Sequence, residues 1–308
     1  MTIAAALPRQ RVYRPTQPVD LHATLGAHQR GPHDPCHHVD GGGAHWRTWR
    51  TPDGAATVRF ASGKGEIAVE AWGRGAAWAL DVAPALLGAD DDWSGLALDH
   101  RLLRDARRRN PGLRLSRSGR VFEALVPAII EQLVTGVEAS RAWRRLLNRY
   151  GEPAPGPIPA ALKVFPAASV LRDIPDWEWH RVGLDGRRRR TLIAAAHVAH
   201  RIDECAYLDI ETSARRLRSL PGVGAWTVAE TLQRSHGAPD LVSVGDYHIP
   251  NLVGFALTGA PRTDDAGMLA LLASYAGHRQ RVVRLLEATG RRAPRFGPRM
   301  PLRDYRRS

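Results

Sequence analysis

Five residues constrain this chain more than any others: Leu220-Pro221-Gly222-Val223-Gly224. They separate two stretches that read as helices, 210–219 and 225–235. Pro221 ends the first, because its ring fixes φ and it has no N–H to donate. Gly222 and Gly224 permit a tight hairpin with bare backbone. The second helix opens immediately afterwards, so N–H groups without intrahelical partners point outward beside the positive end of its dipole. Such a hairpin is a socket for an anion, most often a phosphate.

The chain's charge fits that reading. Lys+Arg number 44 and Asp+Glu 31, a balance of 44 − 31 = +13. The excess is mostly arginine, which suits a polyanionic partner, although an arginine-favouring codon bias would produce the same numbers. Cys36 and Cys205 are the two cysteines. Two thiols cannot hold a four-cysteine iron–sulfur cluster and do not suggest a disulfide framework, so a reduced compartment is the default. No apolar run approaches the ~20 residues of a membrane span, and the N-terminus does not read as a signal peptide. The expectation is a soluble cytoplasmic protein associated with the nucleoid.

Along the chain, residues 1–19 read as a flexible arm. Residues 20–90 read as an α+β domain, with strands at 44–50, 56–61, 66–73 and 77–82 and one helix at 21–29. Residues 91–289 read as all-helical. Helices are expected at 96–109, across 121–150 with a break near Thr135-Gly136, near 167–171 and 177–182, at 187–204 and at 266–288. The Pro-rich stretch 152–159 reads as a surface loop. Residues 290–308 read as a basic flexible tail.

Further along from the hairpin stands Asp246, 20 residues after Trp226 (246 − 226). Leu-Pro-Gly-Val-Gly followed by an aspartate at this offset resembles the helix-hairpin-helix–Gly/Pro–Asp signature of DNA glycosylases. Asn110-Pro111-Gly112-Leu113-Arg114-Leu115, 122–126 and 128–134 resemble the AlkA-type 3-methyladenine DNA glycosylase II branch. The implied architecture is mainly α with an N-terminal α+β domain: a helix-hairpin-helix glycosylase fold preceded by a small antiparallel sheet. The implied activity is base excision. A damaged nucleotide, here an alkylated purine, is flipped from double-stranded DNA and its N-glycosidic bond is hydrolysed. The resemblance implies a monomer that needs no cofactor. The other class left open is a non-catalytic binder of DNA lesions or structures.

What the resemblance implies for individual residues can be weighed against plainer readings. Asp246 would be the catalytic carboxylate that stabilises positive charge on the sugar or orients water; otherwise it caps the next helix. Trp226 falls where lyase-active members carry a lysine, which points to a monofunctional enzyme; it would wall the base pocket or simply be core. Glu230 and His278 fall where the branch carries aromatic pocket residues, so the pocket is expected to be more polar. Glu230 would touch the base or face solvent. Gln132 and Leu133 would enter the minor groove, Leu133 as a wedge, unless Leu133 is a core leucine. Gly222, Gly224 and Thr227 would contact phosphate through their backbone. Arg279, with Arg281 and Arg284, would contact phosphates or lie in solvent. The carbonyls of Arg218, Leu220 and Val223 would hold a monovalent cation, sodium or potassium. His33, Cys36, His37 and His38 are too compressed in spacing to favour zinc.

Overall fold

The computed structural model describes residues 7–294. The first six residues of the expected arm and residues 295–308 of the expected tail lie outside them.

Five antiparallel strands make one sheet: β1 (Arg9–Tyr13), β2 (His37–Val39), β3 (His45–Thr51), β4 (Gly54–Ser62) and β5 (Ile67–Trp72), in the order β1-β5-β4-β3-β2. The β3–β4 hairpin turns over Pro52-Asp53, pairing Thr51 with Gly54. Arg9–Tyr13 is therefore an edge strand, with Tyr13 opposite Ile67, where a loose arm was expected. Its residues are largely exposed, so no inward-facing alternation marks it.

The stretch 77–82, expected as a strand, is helical. It lies within α2 (Ala76–Leu86), which buries Ala76, Ala79, Leu80, Ala83 and Leu86. Those positions fall on one helical stripe. With α1 (Leu21–Leu25) they close the core over Trp49, Val58, Phe60 and Val69.

The helical part begins with α3 (Arg101–Arg109), shorter than the expected 96–109. Next comes α4 (Val121–Ile130), whose ten residues are all buried. An apolar helix without a polar face belongs at the centre of a bundle. Around it stand α5 (Gly136–Tyr150), α6 (Ala168–Arg172), α7 (Asp176–Val182), α8 (Gly186–His197), α9 (Ala199–Asp203), α10 (Ile210–Arg218) and α11 (Ala225–Ser235). The break expected near Thr135 is a capping box, in which Thr135 and Glu138 satisfy each other's backbone N–H groups.

A separate core unites α3 with α12 (Ile249–Thr258), α13 (Asp265–Leu272) and α14 (Arg279–Ala288). The single helix expected at 266–288 is thus interrupted. Ala276 leaves helical geometry and Gly277 takes φ +85°. Asp240 restarts the helix by accepting the Arg279 backbone N–H at 3.0 Å. Among the described residues no helix is long and apolar enough to cross a membrane.

Candidate active site

The hairpin sits between α10 and α11 with its backbone exposed at Pro221, Gly222 and Gly224. Gly222 has φ +84°, and a Cβ there would lie 2.1 Å from Thr191 Oγ1. Glycine is needed both for the turn and for its approach to α8. Gly224 is the N-cap of α11, and no side chain caps this end. The opening N–H groups of α11 are thereby left available.

Gln132, at the turn after α4, donates through Nε2 to Gly222 O at 3.0 Å and to Thr227 Oγ1 at 2.8 Å. This ties the hairpin to the next residue, Leu133. Leu133 is 78% exposed and takes φ +53°, a left-handed conformation unusual for a leucine. It is not a core residue. Thr227 is buried, and its hydroxyl is engaged by Gln132.

Asp246 lies at the entrance to α12, and both of its oxygens are occupied. Oδ1 accepts the backbone N–H groups of His248 at 2.7 Å and Ile249 at 2.9 Å. Oδ2 accepts the Trp226 indole N–H at 3.0 Å. The capping and site readings of Asp246 are therefore compatible, because the cap fixes the carboxylate's direction. Trp226 is half-buried and acts here as a hydrogen-bond donor to the acid; it is not among the residues lining the adjoining cavity.

That cavity, of about 300 Å³, lies between α11 and α14 and has Asp246, Glu230, Ser243, Gln280, His28 and Ser116 in its wall. Its size is at the lower end of ligand pockets. Glu230 is not solvent-facing. It pairs with Arg234 at 2.7 Å and accepts from Ser243 Oγ at 2.5 Å. Burial acts to raise its pKa, but Arg234, the Ser243 hydroxyl and Arg30 outweigh it and hold the carboxyl below its usual value. Glu230 is therefore a fixed carboxylate, not a proton donor. His28 meets Ser116 Oγ through Nε2 at 2.7 Å. Burial, reinforced by Arg47, Arg234 and Arg30, pushes this imidazole well below its usual pKa, so it is neutral.

His278 is not brought into the cavity. It precedes α14, contacts Arg281 through Nδ1, and approaches Gly95. The residues that α14 does place in the wall are Gln280, two positions on, and Val283, Arg284 and Glu287; of these, the sequence motif marks only Arg284. The spacing of a helix start would have shown Gln280 only if the break at Gly277 had been foreseen. Arg279 is committed to Asp240, with Nε–Oδ1 at 2.8 Å. Arg281 is buried and paired with Asp91, so it is neither a phosphate contact nor solvated surface. Arg284 pairs with Glu287 at 2.6 Å and donates to Ala23 O. Cys36 is buried with its thiol directed at Lys163 O, and no metal-holding cluster occurs among the described residues.

A 3-methyladenine DNA-glycosylase from Archaeoglobus fulgidus superposes with a TM-score of 0.73 over 90% of this chain and 97% of that one, at 17% identity. The chain has the helix-hairpin-helix DNA glycosylase fold. A Clostridium acetobutylicum 8-oxoguanine glycosylase/lyase, solved with double-stranded DNA, shares it with a TM-score of 0.71, 12% identity, and coverage of 94% and 98%. In sequence, the chain is 31% identical over 164 residues to a Mycobacterium tuberculosis protein named a probable bifunctional transcriptional activator/DNA repair enzyme AlkA. That match covers 52% of this chain and 30% of the relative. It is 30% identical over 141 residues to DNA-3-methyladenine glycosylase 2 of Escherichia coli, covering 45% of this chain and 49% of the relative. The chain thus spans about half, or less, of the length of these relatives. No family model matches it.

Proposed function

We propose that this protein is a monofunctional DNA N-glycosylase that flips an alkylated purine, of the 3-methyladenine kind, and hydrolyses its glycosidic bond to leave an abasic site. The observation that carries the reading is Asp246: a carboxylate locked by Trp226 and the start of α12, at the wall of a base-sized cavity. As the bond to the base lengthens, positive charge grows at C1′ of the sugar. A preorganised carboxylate beside it stabilises that charge without having to reorient, and directs water to the same carbon.

The remaining parts fit one task. The exposed Leu133 fills the gap left by the extruded nucleotide and offsets an unstacking cost of a few kcal/mol. Gln132 links that wedge to the hairpin, whose bare N–H groups hold a backbone phosphate. The carbonyls of Arg218 and Val223 receive no hydrogen bond among the described residues, and that of Leu220 receives only the Val223 N–H. These oxygens suit a monovalent cation, which would brace the hairpin against the phosphate. Lyase chemistry needs an amine nucleophile. The chain's two lysines, Lys64 and Lys163, do not line the cavity, and the position implied for the amine holds Trp226.

The test is release of free 3-methyladenine and 7-methylguanine from methylated duplex DNA, identified by mass, for the wild type and Asp246→Asn. Asparagine caps a helix about as well as aspartate, so the variant keeps its fold and DNA affinity. Base release by the wild type and its loss in the variant, by about a thousandfold, is the expected result. Full activity in the variant would remove Asp246 from the mechanism. Tight binding of abasic duplex without release of any base would favour the lesion-binding reading, in which Asp246 is only a cap.

A further inference from the structure

The cavity wall satisfies most of its own polar groups. Gln233 Nε2 donates to Leu241 O and Ser243 Oγ, Ser243 donates to Glu230, Glu230 holds Arg234, and His28 holds Ser116. Gln280 differs. It is 6% exposed, it lines the cavity, and its carboxamide has no hydrogen-bond partner among the described residues. Arg114 Nη2 also lacks a partner, but that atom is fully enclosed. The Gln280 amide is not enclosed in that way: it opens on the cavity, where its donor and acceptor are free to meet a ligand. Moreover, no tryptophan, tyrosine or phenylalanine lines the cavity; the aromatic side chains in its wall are the imidazoles of His28 and His248.

Resting on the proposed glycosylase activity, we propose that Gln280 reads the extruded base. Its carboxamide, one donor beside one acceptor, pairs with a base edge that offers an acceptor beside a donor. The substrates are then purines alkylated at positions that leave this edge intact, as ring alkylation at N3 does. Bases whose adduct bridges or blocks the edge are rejected, because in them the buried amide stays unpaired. Specificity in this pocket then comes from hydrogen bonding and not from an indole or phenyl wall stacked on a cationic ring.

The test compares two substrates with the full-length protein. One is methylated duplex DNA, scored for 3-methyladenine. The other is a duplex with 1,N6-ethenoadenine, in which a bridge from N1 to N6 removes the amino donor. Wild-type protein is expected to prefer 3-methyladenine by at least about tenfold in kcat/KM. Gln280→Met, close to glutamine in shape, is expected to lower kcat/KM for 3-methyladenine about tenfold while leaving ethenoadenine within about twofold. Its melting temperature should stay close to that of the wild type, since the amide makes no hydrogen bond within the described residues and the shape is conserved. Gln280→Leu should repeat the pattern. An equal fall on both substrates, no fall, or a lowered melting temperature in both variants would overturn the assignment and make Gln280 structural. Base release by wild type with an unchanged ratio in the variants defeats only the Gln280 inference. No release of either base by wild type defeats it together with the glycosylase reading.

Discussion

At Asp246 helix capping and the proposed catalytic duty meet on one carboxylate, and the Trp226 indole separates them. Oδ1 serves the helix start, whereas Oδ2 is held by Trp226 alone. Trp226→Phe keeps a ring and removes the donor. A hydrogen bond to a charged group contributes about 1.5–3 kcal/mol. If that bond matters in the transition state, single-turnover base release should fall about tenfold to a hundredfold, with DNA affinity within about twofold. An unchanged rate would mean that the helix cap orients the acid by itself. The sequence singled out Asp246 and Trp226 by their spacing from the hairpin, but not the indole–carboxylate hydrogen bond that joins them, since Trp226 was expected as a pocket wall or core residue. Gln280 was not singled out. Its place depends on where α14 restarts, and that is decided by Asp240, 39 residues earlier in the chain. For Glu230 the Arg234 partner, four residues on in the same helix, lay within reach of the sequence, whereas Ser243, across a loop, did not.

The same division between local and non-local information holds for the elements. Both helices of the hairpin and the Thr135 boundary were readable because local signals, Pro221, glycine and a capping box, act within a few residues. α2 was misread because Ala-Trp-Ala-Leu-Asp-Val alternates like a strand; packing on the sheet selects the helix instead. β1 exists only through its pairing with β5. Gly222 offers the sharpest test of the hairpin. In Gly222→Ala the new Cβ meets Thr191 Oγ1 at 2.1 Å, in a backbone conformation at φ +84° that alanine disfavours. The expected outcome is a loss of about 1–3 kcal/mol in chemical denaturation and a larger proportional loss of affinity for abasic duplex. Stability lost with affinity intact would detach the hairpin from DNA binding.

For the whole molecule, the +13 balance overstates the charge free to meet DNA. Arg30, Arg234, Arg279 and Arg281 are committed to carboxylates in or near the interior. Their neighbours also set the response to acid. In the unfolded chain a histidine titrates near its ordinary pKa of about 6.5. In the fold, burial first, then nearby charge, lowers His28, His37, His45 and His236, with His37 pushed down to about 3. Below pH 6.5 the unfolded chain therefore binds more protons than the native one, so stability falls as pH falls. The loss begins near pH 6.5 and continues towards pH 3, where His37 titrates in the fold. Glu123 acts in the opposite sense: burial raises its pKa, so its contribution is full in acid and lost as pH rises. The four histidines, joined at lower pH by carboxyls held below their usual values such as Glu230 and Asp240, outweigh Glu123 and give the net direction. The melting temperature should drop between pH 7.5 and pH 5, in roughly the range where the unfolded histidines charge. His37→Gln should flatten part of that slope, since a neutral amide replaces a ring that resists its proton. A melting temperature that stays level or rises on acidification would mean that the buried imidazoles find compensating partners, and that Glu123 governs the response.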